Sequence, residues 1–99
     1  MAISVLDVQP INAGKLFALA TVEIDIDGVI IVVRGIQALR IGPARTRIEL
    51  PKFRDASGQW RSAVSLPDEV KGPIGDAILD ALIERGLAVR RFGAIVAAG

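Results

Sequence analysis

The chain has 99 residues, 52% of them hydrophobic and 23% charged, with 12 Lys and Arg against 11 Asp and Glu. That profile excludes a disordered segment and fits one domain, residues 1–99, which at this length buries roughly 65% of the surface its unfolded form exposes. Histidine, cysteine and tyrosine are absent, which excludes Ser-His-Asp and Cys-His catalysis, ordinary zinc sites and disulfides.

No apolar run reaches the roughly 20 residues of a membrane span, and no basic start leads into a long apolar stretch. The expected location is cytoplasmic, without a membrane partner. Neither a G-x-x-x-x-G-K-[ST] nor a G-x-G-x-x-G loop occurs, so no enzyme, cofactor or small-molecule substrate is expected. So apolar a small chain has little polar surface with which to cover itself, which favours an oligomer.

In chain order, Ile3 to Val8 reads as a strand closed by Pro10 and the Asn12-Ala13-Gly14 turn signal. Lys15 to Ile26 follows, its second half alternating Val22, Ile24 and Ile26 against Glu23 and Asp25. Asp27-Gly28 then separates two β-rich runs, the signature of a type I′ hairpin whose two central residues need positive φ. That turn pairs Ile26 with Val29, Ile24 with Ile31 and Val22 with Val33 on the core face. The other face puts Ile30 opposite Asp25 and Val32 opposite Glu23, a half-apolar surface that a second subunit is a candidate to cover.

Gly35 weakens or bulges the third strand before Ile36 to Ile41, and Gly42-Pro43 turns into a fourth run, Arg45 to Leu50. There Arg45, Arg47 and Glu49 point one way and Thr46, Ile48 and Leu50 the other. Lys52 to Gly58 reads as a polar loop, and Gln59 to Leu66 as a fifth strand stopped by Pro67. A helix is expected from about Pro73 to Arg85, with Gly72 as N-cap and Gly86 just past its end. Ile74, Ala77, Ile78, Ala81 and Leu82 form its apolar stripe, while Asp76, Asp80 and Glu84 form an acidic outer face. The tail, residues 87–99, carries Arg90-Arg91, Phe92, Ile95 and Val96 without a clear pattern. The expected fold is therefore α+β: an antiparallel sheet of about five strands followed by one C-terminal helix.

The small net charge of +1 is unevenly spread. Residues 34–61 hold seven bases (Arg34, Arg40, Arg45, Arg47, Lys52, Arg54 and Arg61) against the acids Glu49 and Asp55, an excess of +5, whereas residues 1–33 come to −3 and residues 62–99 to −1. Arginine predominates in that basic segment and suits bidentate phosphate contact. Two readings fit: a strand-and-loop surface that grips a nucleic-acid backbone, or a solvated face balanced by acids elsewhere.

The run Leu50-Pro51-Lys52-Phe53-Arg54-Asp55-Ala56-Ser57-Gly58-Gln59-Trp60-Arg61 resembles the Met-Pro-Ser-Lys-Arg-Thr-Pro-Asp-Gly-Glu-Phe-Arg pattern of the SpoVG family of small septation regulators, with Pro51, Gly58, Trp60 and Arg61 in step. The Ala-rich strand Phe17 to Ile26, Val33-Arg34-Gly35-Ile36, and Lys71 to Leu79, similar to the family's Arg-Gly-Lys-Ile-Gln-Asp-Ala-Val-Leu, extend the likeness over roughly residues 3–86. The resemblance implies a β-rich sheet followed by one helix, a homodimer assembled by strand exchange or pairing, and DNA or RNA binding in gene regulation or cell division. Lys52 or Arg54, Arg61 and Lys71 fall on basic positions of the pattern. The chain departs from it at Pro73, which replaces a lysine, and at Ile83 and Glu84, which replace basic residues near the helix end. Contacts are therefore expected on the sheet and its loops, through Arg45, Arg47, Lys52, Arg54 and Arg61, with Lys71 at the rim.

Trp60 offers a surface on which an unpaired base can stack, but the family's aromatic at this position favours a core residue. Glu23, Asp25 and Asp27 are spaced to clasp a hard cation such as magnesium, although a solvated acidic edge is the simpler reading. The rival to nucleic-acid binding is a protein-interaction module, a dimer whose tail or sheet edge pairs with a partner by strand addition.

Overall fold

A computed structural model describes residues 1–43, 45–88 and, as backbone, 96–98. It is α+β. Four antiparallel strands follow in order, β1 (Ala2–Ala13), β2 (Leu16–Ile26), β3 (Val29–Gly42) and β4 (Arg45–Glu49). Two short strands, β5 (Lys52–Arg54) and β6 (Trp60–Ser62), make a ribbon of their own. The helix α1 (Asp68–Glu84) comes next, and β7 (Val96–Ala98) lies parallel to β4 at the sheet's far edge. No helix among the described residues is long and apolar enough to cross a membrane.

The β2–β3 hairpin has the register that its alternation implies: Ile26 faces Val29, Ile24 faces Ile31 and Val22 faces Val33, with Asp25 and Glu23 opposite Ile30 and Val32. Asp27 and Gly28 both take positive φ, 51° and 85°, as the tight turn needs. The turn is clamped by Asp25 Oδ1, which accepts the Gly28 amide at 2.9 Å. Gly35, at φ 77°, sits where the β2–β3 register shifts between Ala20 and Val22. The expected weak point is thus a bulge inside one continuous strand.

Three boundaries differ from the sequence reading. First, β1 does not stop at Pro10 but runs to Ala13, because it is an edge strand, where a missing N–H costs nothing on the open side. Second, the fifth run does not join the main sheet. Only Trp60–Ser62 is strand, and it pairs with Lys52–Arg54, inside the segment read as a loop. Third, α1 starts at Asp68 rather than Pro73, with Pro67 as its extended N-cap (φ −61°, ψ 152°), and Pro73 lies inside it. The earlier start buries Val70 one turn before Ile74 and brings Asp68 and Glu69 to the positive end of the helix dipole.

The helix ends as expected. Gly86 takes φ 72°, its amide donates to the Ile83 carbonyl at 3.0 Å, and the Leu87 amide reaches the Leu82 carbonyl at 2.8 Å, which is the Schellman closure. Val70, Ile74, Ile78 and Leu82, each four residues from the last, face Val8, Val22, Ile24, Ile36, Ala38 and Ile48 in one core. Each such aliphatic side chain contributes about 1.5–3 kcal/mol by leaving water. The helix covers one face of the sheet. Beyond its reach the β2–β3 hairpin end is bare: Ile26, Val29 (60% exposed) and Ile31, expected on the core face, lie open, as do Ile30 (51%) and Val32 on the other face, and only Val22, Ile24 and Val33 of that pairing are buried. In the tail, Arg90, Arg91, Phe92 and Ile95 lie outside the described residues.

Candidate functional site

Pro51 ends the fourth run, and the chain turns out of the main sheet into the β5–β6 ribbon. Its turn, Asp55-Ala56-Ser57-Gly58, has the residues that a type I turn followed by a left-handed glycine demands: aspartate first and glycine fourth. Gly58 has φ 85°, its amide donates to the Asp55 carbonyl at 3.0 Å, and the Asp55 amide donates to the Gln59 carbonyl at 2.9 Å. The Asp55 carboxylate organises the whole loop. Its Oδ1 accepts from the Ser57 amide (2.9 Å), the Ser57 hydroxyl (2.6 Å) and the Gln59 amide (3.0 Å), while Oδ2 accepts from Arg61 Nε. The Ser57 hydroxyl, then Arg61, then the Gln59 amide hold the Asp55 pKa down at about 2, because each stabilises the ionised form.

Ribbon register sorts the side chains. Arg54 lies opposite Trp60 and Phe53 opposite Arg61, and directly opposed residues share a face while neighbours along a strand alternate. One face therefore carries Arg54 and Trp60 with Lys52, and the other carries Phe53 and Arg61. The Arg54 guanidinium carbon stands 5.8 Å from the Trp60 ring centre, within cation–π range, and its Nε donates to the Gly58 carbonyl at 3.0 Å. Trp60 is 65% exposed and Phe53 47%. The expectation that Trp60 packs in a core is thus overturned. The ribbon stands outside the main sheet and each of its strand residues is exposed, so an aromatic on it stays in water.

The expected basic residues fall into three places. Lys52, Arg54 and Arg61 are on the ribbon. Arg45 and Arg47 are exposed on β4, whose Thr46 and Ile48 turn inward, and Glu49 joins the two groups by accepting from Arg47 Nε (3.1 Å) and Lys52 Nζ (3.4 Å). Lys71 stands apart, in the first turns of α1, 3.7 Å from Asp68. Phe53 was not singled out as a functional residue. The signal was there: Lys-Phe-Arg and Trp-Arg bracketing an Asp-Ala-Ser-Gly turn is a hairpin pattern with a basic and an aromatic residue on each strand.

Two other features bear on ligands. Arg40, Arg45, Thr46, Leu87 and Ala88 line a cleft of about 240 Å³ at the opposite end of β4, with the Arg40 guanidinium 4.6 Å over the Phe17 ring. Glu23, Asp25 and Asp27 do not converge: no group of three or more His, Cys, Asp or Glu among the described residues is arranged to hold a metal ion, and Asp25 serves its own turn. No protein-family model, curated protein or solved structure matches the chain.

Proposed function

We propose that the chain is a nucleic-acid-binding regulatory protein of the SpoVG type that contacts DNA or RNA through the β5–β6 ribbon and the adjoining basic side of β4. The observation that carries this reading is the ribbon itself: arginine and an exposed aromatic on each of its two faces, held in a turn by four hydrogen bonds to one carboxylate. Arginine matches phosphate bidentately and aromatic rings stack on bases, so the two residue types together suit a nucleotide better than either does alone. Phosphate contacts would set affinity and position.

The test is fluorescence anisotropy against duplex DNA, single-stranded DNA and RNA over a salt series, beside a variant with Arg45, Arg47, Lys52 and Arg54 changed to Glu. Log affinity for duplex should fall with log salt at about −0.9 per phosphate contacted, and the variant should not bind. Absence of binding to all three at low salt would remove this reading.

The bare hairpin end supports the homodimer that the same reading includes. Among the described residues, Ile26, Val29, Ile30, Ile31 and Val32 bring half of the large exposed apolar side chains to one hairpin end, and a second copy is the simplest cover. Sedimentation should give a dimer for the native chain and a monomer for Ile30→Lys. A monomeric native chain would remove the dimer and leave the ribbon untouched. A dimer that binds no nucleic acid would instead favour the protein-interaction module.

A further inference from the structure

From the two faces of the ribbon we infer that the preferred ligand is a single strand with unpaired bases, which stack on Trp60 on one face and on Phe53 on the other. This rests on the nucleic-acid reading above and narrows its ligand class. In a duplex the bases are stacked on one another, and a protein reaches their edges through a groove. A ribbon lying in a groove turns one face to the floor and the other outward. Here each face carries an aromatic, and the register forbids both from facing the same way. A flexible strand can use both faces; a rigid duplex uses one.

The flanking arginines fit the same ligand. Arg54 spends Nε on the Gly58 carbonyl and Arg61 spends Nε on Asp55, so each is held in place while its four terminal N–H bonds remain for phosphate. The Arg54 guanidinium covers one side of the Trp60 ring, and in a side chain 65% exposed the other side is left for a base. Each face of the ribbon thus presents one base-sized apolar plane beside one fixed phosphate donor. That is the chemistry of a nucleotide unit, and it needs no particular base, since every base has a flat face.

Trp60 is the only tryptophan and tyrosine is absent, so its emission reports the site without interference. The probes are a 12-mer of thymidine, the same strand in a duplex with its complement, a 12-mer of uridine, and an abasic 12-mer that keeps the phosphates and lacks the bases. The thymidine strand should bind about 10-fold tighter than duplex or abasic strand and quench Trp60. Trp60→Ala and Phe53→Ala should each weaken it about 10-fold and leave the abasic strand unchanged, while Trp60→Phe should restore binding. Circular dichroism, unchanged in all three variants because both side chains are exposed, excludes misfolding as the cause. A 12-mer of 2′-deoxyuridine differs from the uridine strand in the sugar alone: equal affinity of these two assigns stacking alone, and a clear difference between them means that the sugar is read as well. Equal binding of duplex, abasic and thymidine strands without quenching would overturn the stacking site and leave nucleic-acid binding standing. No binding to any probe would overturn both.

Discussion

The start of α1 has a consequence that stability can measure. Lys71 donates to the Pro67 carbonyl at 3.1 Å and closes the first α-helical turn, so from residue 71 onward every N–H has an intrahelical acceptor to meet. Pro73 has no N–H, and its ring crowds the Glu69 carbonyl one turn back. Proline in a helix interior is about 3 kcal/mol less favourable than alanine, and the unfolded chain regains roughly 0.4–1 kcal/mol of freedom when proline is removed. Pro73→Ala should therefore stabilise the fold by about 2 kcal/mol. Gly72 lies in the same helix with no heavy atom within 4 Å of where a Cβ would stand, so Gly72→Ala should add about 0.5–1 kcal/mol. Were Pro73 instead the first helical residue and Gly72 its cap, both signs would reverse, since proline is favoured at that position and alanine is a poor cap. Urea denaturation followed by circular dichroism decides between them. With a slope of 1–3 kcal/mol per molar, the double variant should move the midpoint upward by about 1–3 M, and an unchanged or lower midpoint would refute the helix start at Asp68.

Ile78 is fully buried under the sheet, so Ile78→Ala should cost about 2–5 kcal/mol in the same assay. Trp60→Ala, by contrast, should cost under about 1.5 kcal/mol, where a core tryptophan would cost 3–5, and a loss in that higher range would show the ring to be buried. The Asp55 pKa of about 2 lies below the ordinary aspartate value of about 3.9. Its contribution to the turn is accordingly complete above about pH 4 and fades as pH falls through 2. Trp60 emission should be flat from pH 8 to about 4 and change between about 4 and 2 in native protein, and Asp55→Ala should abolish that step.

What the residue pattern made legible, and what it hid, follows from how local each determinant is. The β2–β3 register was readable because its determinants lie within the hairpin: period-two alternation on both sides of an Asp-Gly turn leaves one pairing that puts the β-branched residues together. The bulge at Gly35 and the helix end at Gly86 were readable for the same reason, each resting on a glycine whose positive φ no neighbour disputes. The helix start was not. Gly72-Pro73 makes a plausible local boundary, and what overrides it is tertiary: the burial of Val70 against strands more than 20 residues away. The ribbon was half visible. Its basic residues stood out by composition, but whether residues 59–66 extend the sheet or fold back on 52–54 depends on competition for an edge, and β7 pairs with β4 there. The core reading of Trp60 rested on the family's aromatic at that position, and the separate ribbon leaves the ring exposed instead.

The position of the ribbon also orients any approach by a polyanion. The outer face of α1 carries exposed Asp76, Asp80 and Glu84, so the side of the molecule that the helix covers repels phosphate. The β4 face and the ribbon carry Arg45, Arg47, Lys52, Arg54 and Arg61 against Glu49 and Asp55, which are engaged in holding Arg47, Lys52 and Arg61. A net charge of +1 is therefore the wrong measure of this surface, because within a Debye length of about 8 Å a ligand feels its local charge more than the total. An isolated ribbon of three residues a side is marginal in water. Here the Asp55 carboxylate supplies its order, by bonding Ser57, Gln59 and Arg61 at once. The group that folds the turn is thus also the group that fixes an arginine beside Phe53. Binding and local stability should then fail together when Asp55 is removed, whereas loss of Trp60 or Phe53 should separate them.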